Sequence, residues 1–600
     1  MSLFGSLYIG DSGLRTSQNA LNTVAHNLSN LNTTGYVRQQ VANSDTTYTN
    51  TDRTVSGYNV QIGDGVKYSE CRHIRDAFLD ATYREESGRL SYYEISYSAI
   101  LELEDIMGEF DGAAFSNSVS GLWTAMQELA KSPNDSTNIS ILVSKAASFM
   151  ENAASVYASF QEYQNNLNRQ VKDAVEDINA IGQRINELNR EISKIEVGGV
   201  EHANDLRDER DLLLDTLAGY GNISYQEDSN GVVTVQFNGT DFVTQGKAYE
   251  MKVLTDEETG YVTPYWQHNV IYTTNEIGER VPDYTSAYVF DLTEEISTAN
   301  DTDIGSLRAL LLARGDHVAD YTDLTVGMCN DAKLDKLKLT EGEYNEEAGL
   351  EYYNKHISNS VVMNAQAEFD NLVHAIATKV NEVIAENCDP KSGYLCNDDG
   401  TPIQMFLKVS SSPYEKVFLT EAEAQIQTAQ GAKLYQIYDE NGEAVPNSYW
   451  KYVEEDADSA FSLYNCGNMQ INQKLVQVPV LLGFTKEDSS VDYNLGKKFV
   501  EAFQDEGIYL NPNAEQKSSF QNCYIDLTNQ VATSGYVFKG LYEFEQLAIE
   551  QAENERQTVI GVSADEELEH MIMYQNAYNA ASRYINVINS MLDTLLGMGA

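Results

Sequence analysis

Three observations predict a multidomain, mainly α-helical chain with β insertions. Heptad stripes mark both ends, a long proline-free apolar seam runs through the first half, and strand-like alternation begins after residue 220. At the N-terminus Leu7, Leu14, Leu21 and Leu28 share one heptad position, with Leu3, Val24 and Leu31 on the position beside it. At the C-terminus Met571, Tyr578, Ile585 and Leu592 form one row, and Tyr574, Ala581, Ile588 and Leu595 the next. A stripe repeating every seven residues is narrow and is buried against another helix rather than in a broad core. The two ends are therefore expected to pair with each other, or with copies of themselves in an assembly.

Between the ends the elements follow in order. Leu90, Tyr93, Tyr97, Ile100 and Met107 give one helical stripe; Val119, Leu122, Met126 and Leu129 give a second, stopped by Ser132-Pro133. The seam from Val156 through Phe160, Leu167, Ile178, Ile185 and Ile192 to Ile195 alternates spacings of three and four, which predicts a long rod ending at Gly198-Gly199. A shorter helix is expected from an Asn204 cap to Gly219. After Gly221, Val232–Phe237, Phe242–Thr244, Tyr249–Leu254, Val270–Thr273 and Tyr288–Leu292 alternate between Gly- and Asn-rich turns, as strands do. Helix is expected again at Ile304–Arg314, at about Ile357–Glu386, and in a rod from about Gln521 to Gln557.

The expected domains are thus 1–45 and 561–600 as terminal coiled-coil-like segments of one inner unit. Residues 46–220, 305–388 and 495–560 make a helical shaft, 221–304 an inserted β-rich domain and 389–494 a second mixed insertion. The first insertion begins and ends beside helix punctuation, so its strand ends can lie close together and it is expected not to be needed for the shaft's packing.

Composition sets the class. At 600 residues and 42% hydrophobic the chain can bury about three or four domain cores. With 40 Lys+Arg against 91 Asp+Glu, a net charge of −51 repels nucleic acid and anionic membrane. The first twenty residues lack the basic and apolar regions of a cleaved leader, and no apolar run reaches membrane-spanning length. Taken alone, these features point to the cytosol.

No catalytic, cofactor or metal constellation is found. The eight histidines are scattered and none stands in HExxH; GxSxG, GxxxxGK[ST] and GxGxxG are missing. The six cysteines form no CxxC pair, although Cys388 and Cys396 flank a turn and are able to meet on oxidation. Carboxylate groupings such as Asp208/Glu209/Asp211 are expected to form a solvated face in so acidic a chain. Arg314-Gly315-Asp316 spells an adhesion tripeptide but stands where a helix stops.

The terminal motifs carry the assignment. Residues 19–39, NALNTVAHNLSNLNTTGYVRQ, resemble the N-terminal signature of flagellar axial proteins, in which a heptad helix enters an Asn-rich Thr-Gly-Tyr-x-Arg turn; Asn27, Asn30, Asn32, Gly35, Tyr36 and Arg38 occupy those places. Asn204–Leu217, NDLRDERDLLLDTL, is similar to a helix of the hook-associated protein 1 family. So are Gly561–Glu567, Tyr574-Gln575-x-x-Tyr578 and the ending Met591–Leu596. The middle of the chain and its cysteines depart from that pattern.

That resemblance implies a structural subunit, not an enzyme and without cofactors, joining the flagellar hook to the filament. It implies export without a cleaved leader through the flagellar type III channel, and an extracellular place in the flagellum. The implied partners are further copies of the chain, the hook protein, the second hook-associated junction protein and an export chaperone on the C-terminal helix, with no nucleic acid and no membrane. Leu7, Leu14, Leu21, Leu28, Met571, Tyr578, Ile585 and Leu592 would form the assembly seam, and Asn30, Gly35, Tyr36 and Arg38 the family turn. The alternatives are a second junction protein, a flagellin, or an axial protein carrying a hydrolase within 389–494.

Overall fold

The two chain ends meet, and everything else is strung between them. In the computed structural model, which describes residues 3–53, 59–108, 115–198, 201–274, 278–439, 442–486, 490–504 and 507–598, α1 (Leu3–Ser29) is followed by two antiparallel strand pairs. Strand β1 (Gln39–Asp45) pairs with β4 (Val66–His73), and β2 (Tyr48–Arg53) with β3 (Asn59–Gly63). These strands were not expected, because 46–220 reads as shaft. That reading passed over Tyr58, Val60 and Ile62, which alternate with polar residues; both pairs are two-stranded ribbons, and no residue of β1 or β4 is fully buried.

The shaft begins with α2 (Ala77–Ile106), capped by Asp76, whose carboxylate accepts from the Phe78 and Leu79 amides. Next come α3 (Phe115–Lys131) and α4 (Ser136–Glu196), a 61-residue helix capped by Asp135 and about 90 Å long. Helix α5 (Asn204–Tyr220) returns along α4. Asn204 is its first helical residue and not its cap; Ala203 holds the cap position without a side-chain bond, and the helix runs through Gly219.

The first insertion holds a four-stranded antiparallel sheet of β5 (Ile223–Glu227), β6 (Val233–Phe237), β7 (Thr240–Thr244) and β8 (Lys247–Ala248). It also holds the pairs β9 (Met251–Thr255) with β10 (Val262–Trp266) and β11 (Ile271–Thr274) with β12 (Arg280–Asp283). Tyr288–Leu292, expected as a strand, makes only an isolated bridge to Tyr265. The chain enters at Gly221 and leaves at Gly305, whose backbones touch.

The expectation that the shaft's packing does not need this insertion is overturned. Phe237, Phe242 and Trp266 are buried in the same apolar core as Ile178 and Ile185 of α4. Phe242 lies over Gly182, where a Cβ would come within 2.2 Å of the ring. Three asparagines along α4 then bind strand backbone: Asn168 holds Gly260 and Val262, Asn179 holds Met251, and Asn189 holds Val233. Each side-chain amide takes up both a backbone N–H and a backbone C=O of the insertion.

Shaft helices resume with α6 (Ser306–Arg314), the short α7 (Tyr321–Leu324), α8 (Asp331–Leu337) and α9 (Glu346–Tyr352), and then α10 (Val361–Glu386). The second insertion carries β13 (Phe406–Lys408) paired with β17 (Met469–Ile471), the three-stranded sheet β14 (Tyr414–Phe418), β16 (Ala444–Tyr452), β15 (Leu434–Tyr438), and the helices α11 (Glu421–Ala429) and α12 (Gln473–Gln477). Cys388 and Cys396 at its entrance are joined as a disulfide, with Cα atoms 5.9 Å apart. Helices α13 (Tyr493–Gln504), α14 (Phe520–Ile560) and α15 (Ala564–Gly597) close the chain. Helix α14 lies along α2, and α15 lies along α1. The fold is therefore mainly α and multidomain, with long terminal helices and β insertions.

Candidate functional site

Helices α1 and α15 run antiparallel: Gly10 faces Ile585, and three residues further on Gly13 faces Ala581. A Cβ at Gly10 would stand 2.8 Å from Ile585 Cγ1, so the missing side chain sets how closely the helices approach. Leu7, Leu14, Leu21 and Leu28 are all half-buried, as are Met571, Tyr578, Ile585 and Leu592. The buried positions on α1 are smaller residues beside the leucine row: Gly10, Thr16, Ser17, Ala20, Val24 and Asn27. Two residues assigned to the stripes fall outside it. Leu31 lies past the end of α1 and is 40% exposed; Leu595 is 59% exposed, because the antiparallel register runs out of α1 near Leu592.

The second feature is the turn that leaves α1. Gly35 has φ +80, the left-handed region glycine tolerates, and a Cβ there would press on Leu212 of α5 at 3.3 Å. Asn30 donates to the His26 carbonyl at 3.1 Å and so closes the last turn of α1. Asn27 does more than the other asparagines. Its amide donates to the Gln39 carbonyl at 3.0 Å, and its oxygen accepts from the Gln39 amide at 3.1 Å and from the Tyr36 hydroxyl at 2.7 Å. It thereby ties the helix to the first strand across the turn. The Tyr36 hydroxyl also lies 3.0 Å from His26 Nδ1. Burial, with Asp208 nearby, pushes the Tyr36 phenol well above its ordinary range, which keeps it a donor.

Arg38 joins the turn to the other end of the chain. Its Nε donates to Glu567 at 2.9 Å and its Nη1 to Glu566 at 3.0 Å, while its backbone N–H donates to the Ile560 carbonyl at 3.0 Å. Glu567 is buried in the first turn of α15, where a carboxylate also favours the helix N-terminus. Beside it, the Val37 amide donates to Asp208 of α5 at 3.2 Å. Asp208 is buried here, not on the solvated face expected of it, because α5 points it at the turn after α1; burial raises it to about 7, and burial with Arg75 lowers His73 to about 3. Their side chains stand 3.4 Å apart, an ion-pair distance, but burial of both disfavours the charged forms, so the contact is made with a neutral imidazole.

Below the turn the shaft helices are locked by alternating charge. Arg75 holds Asp80 and Asp211, Arg84 holds Asp215 at 2.7 Å, and Arg556 at the end of α14 holds the other oxygen of Asp215 at 2.7 Å. Arg556 also lies 3.8 Å over the Tyr83 ring. Motifs near residues 35, 210 and 560 thus converge on one joint between the terminal helix pair and the shaft. Asn27 and Glu567 were legible only as letters of a motif; their buried bonds appear once the chain is folded.

The arrangement offers rigidity rather than chemistry. Among the described residues no group of His, Cys, Asp and Glu stands ready to hold a metal, and no helix is long and apolar enough to cross a membrane. Arg314 of the Arg-Gly-Asp tripeptide is 1% exposed and donates to Asn168 and the Val262 carbonyl, so the tripeptide is not displayed.

Comparison with known proteins gives three family matches in chain order. The flagella basal body rod protein family matches residues 7–36, the helical domain of flagellar hook-associated protein FlgK matches 100–394, and the flagellar basal body rod FlgEFG protein C-terminal family matches 559–598. The flagellar hook-associated protein 1 of Bacillus subtilis strain 168 is 25% identical over 626 residues, covering 100% of this chain and 99% of the relative. The chain belongs to the flagellar hook-associated protein 1 family. Members from Salmonella typhimurium strain LT2 and Escherichia coli K12 are 23% and 20% identical, each covering 98% of both chains. Among solved structures, the flagellar hook junction protein of Burkholderia pseudomallei superposes with a TM-score of 0.49 at 11% identity, covering 80% of this chain and 100% of that one. Val37 and Arg38, which directly follow the N-terminal match, bond Asp208 within the helical-domain match and Ile560 and Glu567 within the C-terminal match.

Proposed function

We propose that this flagellar component is the structural subunit that joins hook to filament and on which the filament is assembled. The observation that carries the reading is the Arg38 joint. A subunit that transmits torque needs its tube-forming ends held at a set angle to its shaft, and three motifs spread over 530 positions of sequence are used to hold that angle. In this reading α1 and α15 form an inner layer with copies of the chain and with the hook protein and second junction protein, through the seam row of Leu7, Leu14, Leu21, Leu28, Met571, Tyr578, Ile585 and Leu592. The inner unit takes in the strands up to His73; the shaft surrounds it, and the segments 221–304 and 389–494 face outward.

The rest of the proposal follows from that place. The chain leaves the cell by the flagellar type III route without a cleaved leader, acts outside it, and catalyses nothing. The exposed face of α15, with Ile572, Val587, Leu595 and Leu596, is covered by an export chaperone beforehand. Immunogold labelling of motile cells tests the reading. Label confined to a collar between hook and filament supports it, and label along the filament or inside the cell overturns it.

A further inference from the structure

We propose that the cavity between α10 and the β14–β16–β15 sheet binds a neutral saccharide unit. The cavity holds about 430 Å³, within the range of small-ligand sites and large enough for one or two sugar rings. One wall is tyrosine. Tyr435 on β15 and Tyr452 on β16 flank Tyr414 of β14, with ring centroids 5.8 and 5.9 Å from it and steep angles of 86° and 69°. The floor is Tyr464 and Gln404, both buried, with the Tyr464 hydroxyl donating to Gln404 Oε1 at 2.9 Å.

The polar groups decide the class of ligand. At the mouth Glu382 accepts from Lys379 at 3.1 Å and from Lys433 at 3.0 Å, and all three side chains are partly exposed. Deeper in, Glu455 is taken up by the Tyr321 hydroxyl and the Tyr464 amide. His374 stacks on Tyr321 at 3.6 Å, with Nδ1 3.0 Å from the Tyr464 carbonyl, and burial lowers its pKa. Two ammonium groups thus balance two carboxylates. An anion entering here meets Glu382 and Glu455, and a cation meets Lys379 and Lys433.

Free hydrogen-bonding capacity remains on the tyrosine wall. Among the described residues the Tyr435 and Tyr452 hydroxyls bond no protein group, although both side chains are largely buried. A neutral ring with an apolar C–H face for the tyrosines and a hydroxyl edge for Tyr435, Tyr452, Lys433 and Glu382 meets all of these groups at once. Among the described residues lining the cavity no nucleophile stands beside a free base: the Thr378 hydroxyl donates to the His374 carbonyl. The site binds and does not cleave. This inference stands on the cavity and is independent of the junction reading.

The test is titration of the full chain with glucose, galactose, N-acetylglucosamine and their β-linked disaccharides, read by calorimetry and saturation-transfer NMR, with choline and inorganic phosphate alongside. At least one neutral sugar is expected to bind at about millimolar strength or tighter. Tyr435→Phe and Tyr452→Phe, which remove only the hydroxyls, should each weaken it about fivefold. Lys433→Met should weaken it about tenfold, with thermal unfolding unchanged. Tyr536→Phe, on the exposed face of α14, serves as the control and leaves binding unaltered. Absence of sugar binding at tens of millimolar overturns the proposal, as does binding indifferent to all three variants, or binding of choline or phosphate alone.

Discussion

Replacing Arg38 by alanine removes the cation that, among the described residues, faces Glu567, whose side chain is 3% exposed against 19% for Arg38 itself. Breaking a buried ion pair from one side costs about 3–5 kcal/mol because a desolvated charge is left alone. Water reaches the vacated guanidinium site here, so about 2–3 kcal/mol is the better figure. The Glu566 contact adds little, since that carboxylate is 59% exposed. The loss should appear locally, because α15 packs on α1 and not on the shaft core. Amide exchange over 564–570 should quicken about 30- to 150-fold while the core helices α4 and α10 keep their protection. Arg38→Lys should restore only part of it, as an ammonium does not span Glu566 and Glu567 with a planar fork. The pair Arg38→Met with Glu567→Leu should recover most of the protection, because no charge is then stranded. Unchanged exchange in Arg38→Ala, or a double variant as damaged as the single, would refute the joint as described.

Other consequences are independent of that joint. Phe242→Ala opens a void over Gly182 and should cost about 3–5 kcal/mol in chemical unfolding; for the same reason deletion of 221–304 should yield an unstable shaft, and a deletion product that melts like the full chain would show the opposite. Glu368 is fully buried, accepts from the amides of Asn364, Asn511 and Gln530, and is raised to about 7, chiefly by burial. The folded state therefore holds this proton more tightly than the unfolded one. The resulting stability is complete below about pH 4 and is lost as pH climbs through about 7, by roughly 3 kcal/mol. Glu368→Gln should gain on the parent by that amount between pH 4.5 and 8, and a difference that does not vary with pH refutes it. Leu28→Asp with Ile585→Asp should leave the shaft's unfolding transition in place, remove exchange protection from α1 and α15, and abolish filaments; normal filaments from cells making it would show the seam assignment to be wrong.

Sequence alone determined the family and the fold class, and both came from features that are local and periodic. Heptad rows, the α4 seam and the Gly35–Arg38 turn each state their geometry within a few helical turns, so they are legible without knowledge of what they touch. The strands of 39–73 were not recognised, since two-stranded ribbons whose described strands β1 and β4 bury no residue fully carry only a weak apolar signal. Only the tertiary structure decided which asparagine works the turn, that Arg38 closes on Glu567, and that Asn168, Asn179 and Asn189 bind the insertion to α4. Such contacts join residues tens to hundreds of positions apart. Each depends on a polar group finding its partner only after burial has removed the water that would otherwise serve it, and that is a property of the packed chain rather than of any window of sequence.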